Sequence, residues 1–244
     1  MIRGHWQRGL MAGCLALGFC GVVLAEEKAE KPAASGEKKA ESGENKGKGR
    51  RQYLDKEHAP KRREGWVDLF NRKDLTGWKK RDANAEMSWK VEDGILKNEI
   101  GPGKHGVDLI SEQKFDDYEI YYEYKLPKDS NSGMYLRGRY EVQILEDFGK
   151  PATPESNGGI YSLTAPSKNV SKPAGEWQSA YVSIQGRKVN VWLNGEHVVT
   201  DFEVKHATGL ALDPEHEDQP GPVLIQGNHG SVELRYVVVK PMKH

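Results

Sequence analysis

From Trp66 onward the chain alternates with a period of two. Tyr118, Ile120, Tyr122, Tyr124 and Leu126 are interleaved with Glu119, Tyr121, Glu123 and Lys125, the pattern of a strand with one buried face. Met134 to Ile144 alternates in the same way, and shorter apolar runs follow at Val182–Ile184, Val189–Leu193, Val223–Ile225 and Val232–Val239. No window has the 3.6-residue period of an amphipathic helix. Asp93-Gly94 and Asn194-Gly195 sit between strand-like runs as hairpin signals, because Asn and Asp before Gly tolerate the positive φ that tight hairpin turns require. Gln185-Gly186-Arg187-Lys188 makes a further bend. Many short strands separated by turns predict an all-β sandwich or jelly roll of one domain, residues 64–241. Its longest irregular stretches are Gly101–Gly106, Phe148–Gly159, Ala165–Gly175 and Lys205–Pro220, and stretches of that length in a compact domain are places to look for function.

What precedes the domain is of two kinds. Arg3, His5 and Arg8 lead into the apolar run Leu10 to Leu24, which ends at Val23-Leu24-Ala25. This order predicts a secretory signal peptide over residues 1–25, too short in its apolar part to span a bilayer well. Export to the periplasm or medium follows, with lipidation at Cys14 as a lesser alternative. Both cysteines, Cys14 and Cys20, lie within that segment, so the mature chain would contain no disulfide, zinc thiolate or cysteine nucleophile. Residues 26–63 are Lys, Glu, Gly, Ser and Ala with almost nothing apolar, and are expected to form a disordered, solvated linker. Lys and Arg total 36 against 36 Asp and Glu. A formal net charge of zero gives no preference for polyanions, so no nucleic-acid partner and no membrane span after cleavage are expected.

Chemistry concentrates around residues 131–147. Taken as one strand, Tyr135, Arg137, Arg139, Glu141 and Gln143 share a face opposite the core residues Met134, Leu136, Tyr140, Val142 and Ile144. A face carrying that load suits a hydroxyl-rich ligand or, equally, a solvated surface with cross-strand charge pairs. Glu141 and Glu146 are five apart, so a bulge at Leu145 is needed to bring both to one face. The spacing Glu141-x-Gln143-x-x-Glu146 resembles the E-x-D-x-x-E strand of laminarinase-like jelly-roll glycoside hydrolases. There the two glutamates are nucleophile and acid/base. Gln143 replaces the intervening aspartate, which argues against ordinary retaining hydrolysis through two carboxyls about 5–5.5 Å apart.

Further motifs run the length of the domain: Trp66–Asn71 with Asp74–Trp78, Asp93–Leu96, Asn131–Arg137, Tyr140–Leu145, Pro173–Trp177, Val191–Gly195 and Gly221–Gln226 with His229-Gly230. In this order they resemble the 3-keto-disaccharide hydrolase domain family, a concanavalin A-like sandwich. The resemblance implies a carbohydrate partner and cleavage of a 3-keto-glycoside by elimination across C1–C2 and rehydration. That chemistry needs a base, donors for the developing enolate and an acid for the leaving oxygen. Glu141 is the first choice for base and Glu146 for acid, with the roles interchangeable. Arg137 is the choice for the oxyanion, and Gln143, Tyr135 and Arg139 for the sugar. Asn131 is a turn former or a ligand, and His105 and His229 are loop histidines or cleft residues. Tyr161 would line the face beside Tyr135, and Trp192, directed away from the core, would stack on a pyranose. No cofactor is called for. A divalent cation in the loop holding His206, Asp213, Glu215, His216, Glu217 and Asp218 stays open, although its spacing matches no ligand pattern. A hydrolase acting on a β-glucan and a non-catalytic sugar-binding module are the alternatives.

Overall fold

The computed structural model describes residues 53–60, 65–101 and 103–243. The expected signal segment and most of the expected linker lie outside them. The described chain contains thirteen strands and no α-helix, hence no helix long and apolar enough to cross a membrane. The strands are β1 Val67–Asp68, β2 Trp78–Lys80, β3 Trp89–Glu92, β4 Ile95–Asn98, β5 Leu109–Phe115, β6 Tyr118–Lys125 and β7 Asn131–Leu136. There follow β8 Tyr140–Leu145, β9 Trp177–Gln185, β10 Lys188–Leu193, β11 Glu196–Glu203, β12 Gly221–Ile225 and β13 Val232–Pro241.

They form two antiparallel sheets. One has the order β11-β10-β9-β6-β13-β4-β3 with β1 added on β13, and the other the order β2-β5-β12-β7-β8. This is the expected all-β, concanavalin A-like sandwich. Its core is built from the inward residues of both sheets, among them Tyr118, Ile120, Tyr122 and Tyr124 of β6, Met134 and Leu136 of β7, and Tyr140, Val142 and Ile144 of β8. Three two-residue turns form where the sequence signals them, joining Glu92 to Ile95, Gln185 to Lys188 and Leu193 to Glu196. At Asp93-Gly94 and Asn194-Gly195 all four φ values are positive.

Two expectations change. Met134–Ile144 is not one strand but a hairpin, turned by Arg137-Gly138-Arg139. Arg137 and Gly138 have φ of 51° and 69°, and the Arg139 N–H closes on the Leu136 carbonyl at 2.9 Å. A three-residue connection pairs odd residues with odd, Tyr135 with Glu141 and Gly133 with Gln143, so the face read from alternation survives the reversal. The predicted linker is also shorter than 26–63 in its described part, because Tyr53–Pro60 is folded against the outer face of the larger sheet. There Tyr53 meets Tyr121 edge-on at 5.3 Å, Ala59 joins Tyr121, Tyr236 and Val238 in an apolar cluster, and the Leu54 N–H donates to Glu123 Oε1 at 2.7 Å.

Candidate active site

The outer face of the smaller sheet carries the chemistry. The β7–β8 hairpin turns Gly133, Tyr135, Glu141 and Gln143 outward. β12 and β5 continue the face with Leu224, paired to Tyr135, and Ile110, paired to Leu224. Gln226 and Asp108, one alternation beyond these, share it. Tyr135, Ile110 and Leu224 form a small apolar cluster capped by Leu212. Charge and hydrogen-bonding groups ring that cluster.

Glu141 is 3% exposed. Its backbone N–H donates to Thr208 Oγ1 at 2.8 Å and its carbonyl accepts from the Tyr161 N–H at 3.0 Å. Neither group turns to β7, so Tyr135 and Glu141 are a non-hydrogen-bonded pair, whose side chains come closest. The Tyr135 hydroxyl donates to Glu141 Oε2 at 2.7 Å and accepts from the Leu210 N–H at 3.1 Å. The carboxylate then leans over Gly133. A Cβ built there would overlap Oε1 and lie 2.9 Å from Cγ and Cδ, so this position admits only glycine while Glu141 keeps its place. Burial pushes the Glu141 carboxyl up to about 7. The Tyr135 hydrogen bond counters this in part, and the Asp108 charge adds to it. Burial and the neighbouring Glu141 raise Tyr135 as well.

Residues 207–219 roof the pair. A Cβ on Gly209, whose φ is +50°, would lie 2.6 Å from the Tyr135 hydroxyl and 2.7 Å from Glu141 Oε2. Two arginines pin this roof through its carbonyls. Arg139 donates from Nε to Asp213 O at 3.1 Å and from Nη1 to Gln219 O at 2.8 Å. Arg81 Nη1 donates to Leu210 O at 2.5 Å and reaches Asp108 Oδ2 at 3.4 Å. Asp108 Oδ1 in turn accepts from the Gly227 N–H at 2.9 Å.

The structure brings together only some of the residues singled out by sequence. Tyr135, Glu141 and Gln143 are side by side, and Tyr161 borders them through its backbone. Asn131 lies two residues from Gly133 on the same strand face. Glu146 departs from the expectation. The β7–β8 register is continuous from Leu136–Tyr140 to Asn131–Leu145, so no bulge carries Glu146 to the Glu141 face, and its Oε2 accepts from the Asp129 N–H at 3.3 Å. Arg137 is drawn out of the face by the turn. Its Nη2 pairs with Asp117 Oδ1 at 2.6 Å and its Nε donates to Asp116 O at 2.8 Å, an anchor between two turns rather than an oxyanion donor. Arg139 is a fastener of the roof. Trp192 faces away from the core as expected, but on the other sheet, stacked on His197 at 4.0 Å and beside His58 and Tyr181. His105 and His229 are exposed on loops, outside the Tyr135–Glu141 contacts. In the acidic loop, Glu217 is taken up by Arg187 at 2.7 Å, the Ala207 N–H at 2.8 Å and the Tyr140 hydroxyl at 3.1 Å. Among the described residues no group of three His, Cys, Asp or Glu side chains gathers to hold a metal.

Sequence reasoning missed Asp108, Arg81, Thr208 and Gln226. Gln226 stands in the closing motif Gly221–Gln226, and Asp108 keeps parity with Ile110. Those were the only available signals, because strand pairing rather than sequence proximity brings both to Glu141.

Fold and site define a β-sandwich that holds one buried, tyrosine-bonded carboxylate on the outer face of its smaller sheet. The chain belongs to the 3-keto-alpha-glucoside-1,2-lyase-like domain family, whose model matches residues 65–240. A 3-keto-disaccharide hydrolase of Bacteroides thetaiotaomicron is 24% identical over 223 residues, spanning 78% of this chain and 74% of the relative. Two structures from Parabacteroides distasonis, provisionally described as glycosyl hydrolases, share the fold. One has a TM-score of 0.61 at 23% identity, over 73% of this chain and 84% of that one. The other has 0.59 at 23%, over 74% and 95%.

Proposed function

We propose that this chain is an exported enzyme that cleaves the glycosidic bond of a 3-keto-glycoside, with Glu141 as the base of an elimination followed by hydration. One observation carries the reading: of the two carboxylates on the face, Asp108 is taken up by Arg81 and the Gly227 N–H, while Glu141 is held by a phenol alone and burial pushes it up to about 7; Gln143 and the outlying Glu146 occupy the places where a two-carboxylate hydrolase needs acids. A base titrating near neutrality is matched to removing a carbon-bound proton. The ketone at C3 acidifies C2–H. Glu141 Oε1 takes that proton, its electron pair forms C1=C2, and the C1–O bond breaks. The departing oxygen takes a proton from solvent water, which is made good when the water that adds at C1 gives up one of its own. In the reverse sense, water adds at C1 and the proton returns to C2, giving net hydrolysis. Tyr135 fixes Oε2 and leaves Oε1 turned to the substrate side. The family membership and the name of the Bacteroides relative support the substrate class. The N-terminal apolar run supports export, and secretion of a processed chain lacking residues 1–25 checks it.

Incubating the protein in heavy water with a 3-keto-disaccharide and with its unoxidised parent tests the reading by NMR. Turnover of the keto sugar alone, with deuterium entering C2, is expected. Cleavage of both sugars without exchange would assign direct hydrolysis instead.

A further inference from the structure

Three buried side-chain oxygens on the Glu141 face, Asn131 Oδ1, Gln143 Oε1 and Gln226 Oε1, have no hydrogen-bond partner. Gln143 and Gln226 are 3% and 4% exposed. An amide oxygen withdrawn from water and left unpaired costs about 1–3 kcal/mol, so three on one face point to donors that arrive from outside the protein. Their positions form a pattern. Gly133 pairs with Gln143 across β8, and on its other side its carbonyl accepts the Gln226 N–H at 2.9 Å. Gln143, Gly133 and Gln226 therefore form a row across three strands, with Asn131 one alternation further along β7. The Glu141 carboxylate lies directly over Gly133 at the centre of the row, with an amide on either side.

We propose that this row, with Glu141 at its centre, is the base of the subsite for the sugar ring that loses its C2 proton, and that Gln143, Gln226 and Asn131 accept hydrogen bonds from its hydroxyls. The inference rests on the saccharide reading above but goes beyond it, because it assigns which groups hold the ring against Glu141. Two amides separated by two strand spacings, about 9–10 Å between backbones, bracket a pyranose from opposite edges. The unpaired amide oxygens call for hydroxyls, which donate, and each amide keeps its N–H groups as donors beside them. Gln226 is a positioning and binding residue here, and carries no proton in the reaction.

The test is calorimetric titration of the full chain carrying Glu141→Gln, which binds without turnover, with a 3-keto-disaccharide and with its unoxidised parent. Gln226→Leu and Gln143→Leu are then added singly. Each should weaken saccharide binding about 10- to 100-fold, as when a site built for hydroxyls loses a partner. The ligand-free melting temperature should hold or rise, because an unpartnered buried acceptor has been removed. Affinities within twofold of the parent would overturn the inference. So would a fall of several degrees in the ligand-free melting temperature, which would mark the amide as already satisfied within the fold, and so would absence of saccharide binding by the Glu141→Gln chain. The two readings separate. Gln226-dependent binding without turnover by the unsubstituted enzyme would leave the subsite standing and sink the elimination mechanism. Turnover that is indifferent to Gln226→Leu would do the reverse.

Discussion

Each sheet buries one glutamate on its outer face beside a tyrosine, and the two are treated oppositely. Glu123 of β6 is fully buried. It accepts from the Tyr121 hydroxyl at 2.6 Å, from Arg235 Nε at 2.6 Å and from the Leu54 N–H at 2.7 Å. Arg235 is placed there by a register shift in β13 between Arg235 and Val238, and it stacks on Trp177 at 4.2 Å. Glu141 has its tyrosine too, but the other charge that acts on it is an acid, Asp108, not an arginine. A buried carboxylate with a cation and two further donors has its oxygens taken up within the fold. One with a single phenol is held near neutrality and can take up a proton. Tyrosine next to glutamate on an outer strand face is thus not a catalytic signature by itself. The missing cation makes the difference.

Exchanging the two glutamates for amides should separate these roles most widely. Glu141→Gln is expected to lower kcat by about a thousandfold or more with the fold intact. Glu123→Gln should cost about 3 kcal/mol of stability by leaving Arg235 without its charge partner, with kcat of the folded fraction within a few fold of normal. Urea unfolding together with turnover assays reads both. If Glu123→Gln silenced a stable enzyme, the contrast would be lost. Gly133→Ala should come next, with a loss in kcat of about a hundredfold, because the added methyl meets the Glu141 carboxylate where Gln143 and Asn131 surround it. A full-rate alanine variant would mean that the carboxylate works from another position.

pH sharpens the comparison further. Glu141 acts as base only when ionised, so kcat/KM should rise about tenfold per unit below pH 7 and level off above it. The same group titrates from an ordinary value of 4.5 to about 7 on folding. Between these values the folded chain holds a proton that the unfolded chain has released. Its contribution is therefore complete below about pH 4.5 and is lost as pH rises through 7. Melting between pH 5 and pH 8 should show a loss of about 1–3 kcal/mol that Glu141→Gln removes. The smallest effect is expected from Trp192→Ala, on the opposite sheet. Turnover should stay within twofold while stability falls by about 1–2 kcal/mol as its stack with His197 is lost.

Much of the sandwich was legible in alternation and in the Asp-Gly and Asn-Gly turns, since burial of one face imposes a period that no other structure shares. The β7–β8 turn was not, because Arg137 and Arg139 flank Gly138 where turn-forming polar residues usually stand, and the odd-numbered face reads the same through it. Of the site, Tyr135, Glu141 and Gln143 could be grouped because one hairpin carries them. Asp108 and Gln226 reach that face only through the order β5-β12-β7, set by packing across more than a hundred residues of chain. Arg137 and Trp192 show the converse limit: alternation says which side of its own strand a residue takes, but not which sheet the strand joins or where a turn sends a long side chain.

The segment Tyr53–Pro60, folded over Tyr121 and Glu123, bears on where this protein begins as a physical object. The stretch that matches the family starts at residue 65, yet a donor to the most deeply buried carboxylate comes from residue 54. A protein trimmed to its family boundary would uncover a tyrosine-rich surface and withdraw one of three hydrogen bonds from an enclosed carboxylate. The packed unit therefore begins before the family boundary, and the preface to the domain is a part of its architecture.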